Sequence, residues 1–260
     1  MFRGLSSILF ILFSCHSFAE FSLNDLDQKE FDSISKEFSA NFMHTSVSPA
    51  STLGEIWGIE IGVVGGVTSA PKFGALVKEQ KPTEDIEYLP HAGALAVLTI
   101  PFGITLEATA LPEQTSDNVS YEMMSAAFKW TFSKYLGLPS LDMAVKAHYS
   151  SSELSYTDTI SGVETKVTLD TSVYGAHLVM SGEFLFIEPY FGFGLAKGSM
   201  DLNSGVSIFN FTAEKNQSTS QSSSHVFAGL QLNLFFIHIG AEYSKAFGTD
   251  KYTGKVSFYF

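Results

Sequence analysis

The stretch Leu53-Gly54-Glu55-Ile56-Trp57-Gly58-Ile59-Glu60-Ile61-Gly62-Val63 alternates between two kinds of side chain. From Trp57 to Val63 the odd positions are large and apolar, while the even positions are glycine or glutamate. Successive side chains of a β-strand point to opposite faces, so this period of two predicts a strand. One face of that strand is apolar, and the other is small or charged.

The same alternation recurs along the chain, in segments 104–110, 124–132, 141–148, 187–195, 226–234 and 237–244. In a soluble β-sandwich the polar face meets water, so lysine and glutamate should be common there and glycine rare. Here glycine is concentrated on the polar face. That pattern favours a crowded barrel lumen inside and lipid outside. We therefore predict an all-β fold, an antiparallel transmembrane β-barrel preceded by one short N-terminal helix.

Ten strands are predicted, an even number that places both chain ends on one side of the barrel. The predicted connections alternate in length: they are long or polar at 68–88, 113–118, 155–167 and 199–221, and short near Pro101, Gly182 and Phe235. Short periplasmic turns and long outer loops give bacterial barrels this asymmetry. The predicted strands are 53–67, 89–99, 103–112, 119–132, 140–154, 168–181, 184–198, 222–235, 237–247 and 251–260.

The composition agrees with a large apolar surface and limits the possible partners. Phenylalanine occurs 24 times among 260 residues, and charged residues make up only 16%, against about a quarter in typical soluble proteins. The formal net charge is −12, which makes nucleic acid an unfavourable partner. Nothing resembles an interdomain linker, so residues 49–260 are predicted to form a single barrel domain.

Residues 1–19 have the three parts of a secretory signal peptide. Arg3 provides the positive end, Ile8 to Phe13 form the apolar run, and Ser17 and Ala19 are the small residues before the cleavage site. We predict cleavage before Glu20 and export. The alternative is a lipoprotein signal ending at Cys15, the single cysteine of the chain. Cleavage before Glu20 leaves no cysteine, and hence no disulfide framework.

Residues 20–48 are predicted to form a helical segment. The apolar residues Leu26, Phe31, Ile34, Phe38 and Phe42 recur at helical intervals, and Ser22 with Asp25 resembles a capping box. We expect the helix to cap the periplasmic end of the barrel, with a plug inside the pore as the alternative. No later stretch is long and apolar enough for a transmembrane helix.

Three stretches resemble a family of uncharacterised proteobacterial outer-membrane barrel proteins: 49–54 (Pro-Ala-Ser-Thr-Leu-Gly), 58–62 (Gly-Ile-Glu-Ile-Gly) and 188–194 (Glu-Pro-Tyr-Phe-Gly-Phe-Gly). The resemblance covers residues 30 to 200. That family usually turns between its second and third strands at Lys-Gly-Leu-Pro, whereas this chain has Thr-Ile-Pro-Phe-Gly at 99–103. The resemblance implies a barrel and implies no activity.

The last strand, Val256-Ser257-Phe258-Tyr259-Phe260, ends on an aromatic residue with apolar residues at alternate positions before it. It resembles the C-terminal signal by which bacterial outer-membrane proteins reach the barrel-assembly machinery. That machinery is therefore an expected partner through Phe260, and outer-membrane lipid and lipopolysaccharide are expected to surround the barrel.

Seven charged residues are predicted to face inward and to form a layer in the lumen. The interior of a ten-strand barrel is narrow, so these charges are costly unless they pair. A pairing network is interpreted as a structural salt-bridge plug, and the alternative is a gate that opens when the partners exchange. The residues are Glu60, Glu107, Lys129, Lys146, Glu188, Glu242 and Lys255.

Serine and histidine occur together in two places where a hydrolase could generate a nucleophile, namely His148 with Ser150 to Ser152 and His225 with Ser222 to Ser224. Neither pair has an acid partner at a defensible spacing. The histidines of the mature chain are scattered singly, so no metal site and no cofactor are predicted.

The leading hypothesis is a noncatalytic outer-membrane barrel that is structural or a narrow channel for small solutes. A surface-binding module that uses loops 68–88 and 199–221 is the alternative, and an outer-membrane hydrolase comes third.

The export and barrel predictions are tested together on one gel band. We expect outer-membrane fractions to contain a band that migrates faster unboiled than boiled and whose first residue is Glu20. N-terminal mapping by mass spectrometry and a detergent gel measure both. A periplasmic protein without a boiling shift would contradict the barrel, and a chain that begins with lipid-modified Cys15 would contradict the cleavage site.

Overall fold

The computed structural model describes residues 27–260 except 81, 84, 117, 138, 139, 161, 162, 209 and 210. The predicted signal peptide and the predicted capping pair Ser22 and Asp25 lie outside the described residues. The described helices are α1 (Gln28–Phe42), α2 (Pro71–Gln80) and the single turn α3 (Ser133–Leu136). None of these helices is long and apolar enough to cross a membrane.

Ten strands form one closed barrel, in which every strand pairs antiparallel with its neighbours and β10 closes against β1. This confirms the predicted fold class. The strands are β1 (Gly58–Ser69), β2 (Tyr88–Ile100), β3 (Ile104–Ser116), β4 (Val119–Thr131), β5 (Asp142–Ile160), β6 (Val163–Ser181), β7 (Ile187–Ile208), β8 (Phe211–Leu234), β9 (Ile237–Ala246) and β10 (Thr249–Tyr259).

The two ends of the barrel differ. One end, called here the short-turn end, holds the start of β1, the end of β10 and the connections β2–β3, β4–β5, β6–β7 and β8–β9. The other end, the hairpin end, is uneven because β7 and β8 have 22 and 24 residues, whereas β9 and β10 have 10 and 11. The strands β5 to β8 therefore rise above the rest as a tall wall.

Several predicted boundaries are wrong at the hairpin end. The segments predicted as loops 155–167 and 199–221 are mostly strand, because β5 continues to Ile160 and β7 to Ile208. Their serine- and threonine-rich outward face suggested loops, although polar residues on an outward face are compatible with a strand that stands in water. The predicted loop 68–88 contains α2. At the short-turn end, β1 begins at Gly58 rather than Leu53.

The outward face of the lower barrel is an apolar belt. On β7 the outward residues from Ile187 to Leu195 are apolar, and the next outward residue is Lys197. On β8 the outward residues from Leu234 to Val226 are apolar, and the next is Ser224. The large apolar side chains Leu195, Phe193, Leu230 and Trp130 are all more than 40% exposed.

The inward face has the opposite polarity at the two heights. Beside the belt it carries buried charges, histidines and hydroxyls, whereas inside the tall wall it is apolar. The largest apolar cluster joins α1 and α2 to the strands at the hairpin end. Its buried members are Phe31, Ile34, Phe38, Phe42, Ala70, Phe73, Val77, Leu89, Leu111, Tyr121, Met123, Val167, Leu169, Met200 and Leu202.

Helix α1 lies inside the barrel at the hairpin end, so the expected cap at the periplasmic end is wrong. Asp27 begins the helix with a capping box in which its side chain accepts from Glu30 N and the Glu30 carboxylate accepts from Asp27 N. The Phe38 ring packs edge-on against Phe73 of α2, and the Phe42 ring stacks on Tyr121 of β4. The apolar lining of the tall wall thus provides the partner for the apolar face of α1.

Replacing Phe38 with alanine should destabilise the folded barrel, because Phe38 is 3% exposed and its loss leaves a cavity. The expected loss in the free energy of unfolding is about 3–5 kcal/mol, measured by urea titration in lipid vesicles. Phe236→Ala is the matched control, since that ring is 58% exposed. An equal loss in both variants would contradict the packing of α1 inside the barrel.

Candidate functional site

All seven charged residues of the predicted lumen layer face inward; Glu242 is half-buried and the other six are buried. Their direct contacts form a network around Glu107 and a network around Glu60, while Glu188 and Glu242 bond to neutral donors. Lys129 and Lys146 pair in register on neighbouring strands. The single layer stays a prediction.

Glu107 of β3 is the centre of the first network. Its Oε2 lies 2.6 Å from Lys146 Nζ of β5, and its Oε1 lies 3.8 Å from Lys129 Nζ of β4. His44, in the segment after α1, places Nε2 3.1 Å from the same Oε2. The carboxylate thus joins two strands of the wall to the segment that occupies the lumen.

The surroundings of His44 favour its neutral form. Burial lowers the pKa of His44, the bond to Glu107 opposes that effect, and the nearby charge of Lys146 adds to it. A neutral ring donates from one nitrogen and accepts at the other. In the neutral tautomer that suits the Glu107 carboxylate, Nε2–H donates to Glu107 and Nδ1 accepts from Ser125 Oγ at 2.8 Å.

Glu60 of β1 is the centre of the second network, next to the seam where the barrel closes. Lys255 Nζ of β10 lies 2.8 Å from Glu60 Oε1, and Ser257 Oγ donates to the same oxygen at 2.6 Å. His238 Nδ1 of β9 lies 3.1 Å from Oε2. Lys255 also donates to Gln231 Oε1 of β8 at 2.7 Å, so this network joins four strands.

Glu188 and Glu242 have neutral hydrogen-bond donors. Ser181 Oγ donates to Glu188 Oε1 at 2.8 Å, and Tyr190 OH donates to Glu242 Oε2 at 2.9 Å. Ser181 Oγ also accepts from Ala50 N at 3.1 Å. Glu188 is thereby linked, through one hydroxyl, to the segment in the lumen.

Residues 43–53 run down the lumen from α1 toward the short-turn end, and we call them the lumen segment. Every residue from Met43 to Ala50 is buried. Lys129 Nζ donates to Pro49 O at 2.6 Å and to Ser51 O at 3.0 Å, and Lys146 Nζ donates to Ser46 Oγ at 2.7 Å. Lysines of the predicted layer therefore hold the irregular backbone of this segment.

Lys251 of β10 fastens the upper end of the segment, although it is not one of the seven residues of the predicted layer. Its ammonium group donates to Asn41 O at 3.0 Å and to Met43 O at 2.8 Å, and its side chain is 2% exposed. The signal was available, since Lys251 and Lys255 are four residues apart in a strand and therefore share a face.

Glu37 fastens α1 to α2. Its two carboxylate oxygens accept from Lys72 N at 2.8 Å and Phe73 N at 2.9 Å, which are amides of the first turn of α2. Such amides have no partner within their own helix. Burial raises the pKa of Glu37, and the two backbone bonds oppose that rise.

The histidines are brought together in space, contrary to the expectation that they are scattered singly. The six histidines from His44 to His238 all point inward and are buried. His44, His148, His177 and His225 form a row, with successive ring centroids 6.1, 5.0 and 4.6 Å apart. Strand register, which sequence spacing does not reveal, produces this row.

The two proposed serine–histidine pairs are not formed among the described residues. Both ring nitrogens of His148 lack a hydrogen-bond partner, and His225 Nδ1 lies 2.9 Å from His177 Nε2 rather than next to a serine. Ser222 and Ser224 face outward, on the opposite side of β8 from His225.

Residues 13–252 match the model of DUF6588, a family of unknown function. The chain belongs to this family. The resemblance to an uncharacterised barrel family is thus confirmed, over more of the chain than the three stretches indicated. No curated protein matches the chain.

Solved structures with a similar fold are barrels of low sequence identity. Ail, the attachment invasion locus protein of Yersinia pestis, has 14% identity and a TM-score of 0.35, and covers 80% of this chain and 100% of its own. The outer membrane protease OmpT of Escherichia coli has 9% identity and a TM-score of 0.43, and covers 81% and 100%.

Lys251→Met should loosen the lumen segment, because it removes the ammonium group and leaves two buried carbonyls without their donor. Charged hydrogen bonds are worth about 1.5–3 kcal/mol, so a cysteine at Ser48 should react with maleimide at least about tenfold faster. Lys245→Met is the matched control, since Lys245 lies on the outward face and its ammonium group pairs there with Asp250. Unchanged labelling in Lys251→Met would contradict the fastening role.

Proposed function

We propose that this protein is a noncatalytic barrel of the bacterial outer membrane, closed in its resting state by its own N-terminal segment. The observation that carries the proposal is the polarity of the lower barrel, which is apolar outside and polar inside, with the lumen segment bonded to the inner wall. A barrel of that polarity is unfavourable in water and favourable in lipid.

The height of the belt supports the membrane location. The outward apolar run on β7 covers nine residues, from Ile187 to Leu195. At about 3.3 Å per residue along a strand tilted by about 40°, nine residues span roughly 20–25 Å. That height is close to the apolar band of known outer-membrane barrels, about 25 Å.

Export and assembly belong to the same proposal. The signal peptide directs export, and the C-terminal strand delivers the chain to the barrel-assembly machinery. Phe260 supports this role, since its backbone exchanges hydrogen bonds with Ile59 at the seam while its ring is 74% exposed. Outer-membrane lipid and lipopolysaccharide then surround the belt.

Because the lumen is closed, we assign the function of the protein to the tall wall. Above the belt, β7 and β8 face outward with Ser199, Asp201, Asn203, Ser218 and Ser220. These side chains form a rigid polar surface, because consecutive strands support each other by backbone pairing over the whole wall. A structural or surface-contact role therefore fits better than conduction in the resting state.

A gated narrow channel is the second candidate, and the chemistry of the lumen segment favours it. The segment is held mainly by polar bonds from lysine, serine and threonine side chains, which water can replace. Helix α1, in contrast, is anchored by apolar packing. Conduction would require the segment, and with it α1, to leave the lumen.

A reversible cross-link separates the two candidates. An ideal Cβ at Gly198 lies 2.7 Å from Ser39 Cβ, so Ser39→Cys with Gly198→Cys needs a shift of about an ångström to reach disulfide geometry. The double variant would lock α1 to β7. Ser39→Cys alone is the matched control, because the mature chain has no other cysteine.

Planar-bilayer recordings should show no steady conductance for the wild type or for the oxidised double variant. Deletion of residues 27–52 should give conductance, provided that the boiling shift shows a folded barrel. A wild type that conducts steadily would contradict the closed resting state. If oxidation of the double variant abolishes that conductance and reduction restores it, the result supports the gated channel. Conductance that is unaffected by the lock would contradict the assignment of the segment as the closure.

A further inference from the structure

We propose that His148, His177 and His225 form a binding site inside the barrel for a late first-row transition-metal ion, such as Zn²⁺ or Ni²⁺. The proposal is independent of the resting state of the lumen. It rests on the way three imidazoles from β5, β6 and β8 meet at one place on the inner wall.

Two glycines create that meeting place. His148 pairs in register with Gly175, and Gly194 of β7 stands between His177 and His225. A Cβ at Gly175 would lie 2.6 Å from His148 Nε2, and one at Gly194 would lie 2.6 Å from His177 Cδ2. The histidine rings therefore occupy space that any other residue would fill.

Three ring nitrogens of these histidines lack the partners that burial normally demands. His148 is 6% exposed and neither of its nitrogens has a hydrogen-bond partner among the described residues, and His225 Nε2 is also unpartnered. An unsatisfied buried polar group costs about 1–3 kcal/mol. Neutral imidazole is a preferred ligand of Zn²⁺, Ni²⁺ and Cu²⁺, so a bound ion would satisfy these nitrogens.

One pair of nitrogens lies near the spacing of a zinc site. His177 Nε2 and His225 Nδ1 are 2.9 Å apart, and two nitrogens that each lie about 2.0–2.1 Å from a tetrahedral Zn²⁺ are separated by about 3.3 Å. The His148 and His177 rings are parallel within 11°, with centroids 5.0 Å apart. In the present conformation no three ligating side chains of the described residues converge as a metal site.

Convergence requires rotation of the rings about χ2. The χ2 torsion of histidine is broad, and glycine at 175 and 194 places no side chain beneath the rings. Lys146 and Lys251 are cations that act on this row, and the ammonium group of Lys146, which pairs in register with His177, is 2.6 Å from Glu107 Oε2. The Glu107 carboxylate therefore offsets the positive charge that would oppose an incoming ion.

The test uses the full mature protein, refolded in detergent after chelator treatment, with and without Zn²⁺. After desalting, elemental analysis should find one zinc per folded barrel. Substitution of Co²⁺ should give the visible absorption bands of a low-coordinate nitrogen site. His148→Ala and His177→Ala should each weaken zinc binding by about a hundredfold, since even outer-shell partners of metal sites are worth ten- to a hundredfold.

His91→Asn is the matched control, because both ring nitrogens of that buried histidine already contact Asn41 and Thr253. The boiling shift verifies that every variant is folded, and His148→Gln replaces the alanine variant if that one fails to fold. A wild-type barrel that folds and retains no zinc would overturn the proposal. An equal loss of zinc in His91→Asn and His148→Ala would also overturn it.

Discussion

The structure depends on the bonds between buried lysine ammonium groups and the backbone carbonyls of the lumen segment. A lysine inside a narrow barrel loses its hydration, which costs several kcal/mol unless the ammonium group finds other partners. Lys129 and Lys251 find them in carbonyls of Pro49, Ser51, Asn41 and Met43. The irregular lumen segment in turn needs hydrogen-bond donors for its carbonyls. A non-helical backbone at membrane depth is tolerated only where protein or water satisfies its polar groups. Wall and segment therefore stabilise each other.

The polarity of the wall reverses along its height, and this reversal explains the position of α1. At the height of the apolar belt, the outer face is apolar and the inner face carries the polar residues. Above the belt, the outer face is polar and contacts water, so the inner face can be apolar. Val167, Leu169, Met200 and Leu202 form that upper lining. An amphipathic helix with four buried apolar residues on one face, Phe31, Ile34, Phe38 and Phe42, finds its complement there and not at the polar short-turn end.

The sequence predicted the barrel, its ten strands and the inward direction of the charges, because each of these follows from a period of two within one strand. It did not predict how the charges pair, since the contact between Glu107 and Lys146 depends on the register of three strands. The tall wall was missed because polar composition was interpreted as loop. The histidine row was missed for the same reason as the charge pairs: His148 and His225 are separated by two intervening strands that only the fold places.

The glycines of the inward face show that the interior of the barrel is packed like a protein core. Their place on the polar face predicted space for charged side chains, but several of them lie beneath rings: Gly192 beneath Phe227, Gly229 beneath Tyr190, and Gly175 and Gly194 beneath histidines. Rings seated on glycines fill the wall side of the lumen, and the lumen segment packs against it, as Ala50 does beside Tyr190 and Phe227. This is the interdigitation of a packed core, in which a small rearrangement of one side chain does not open a path. A conducting state therefore requires displacement of a chain segment, and the exchange of salt-bridge partners alone is insufficient.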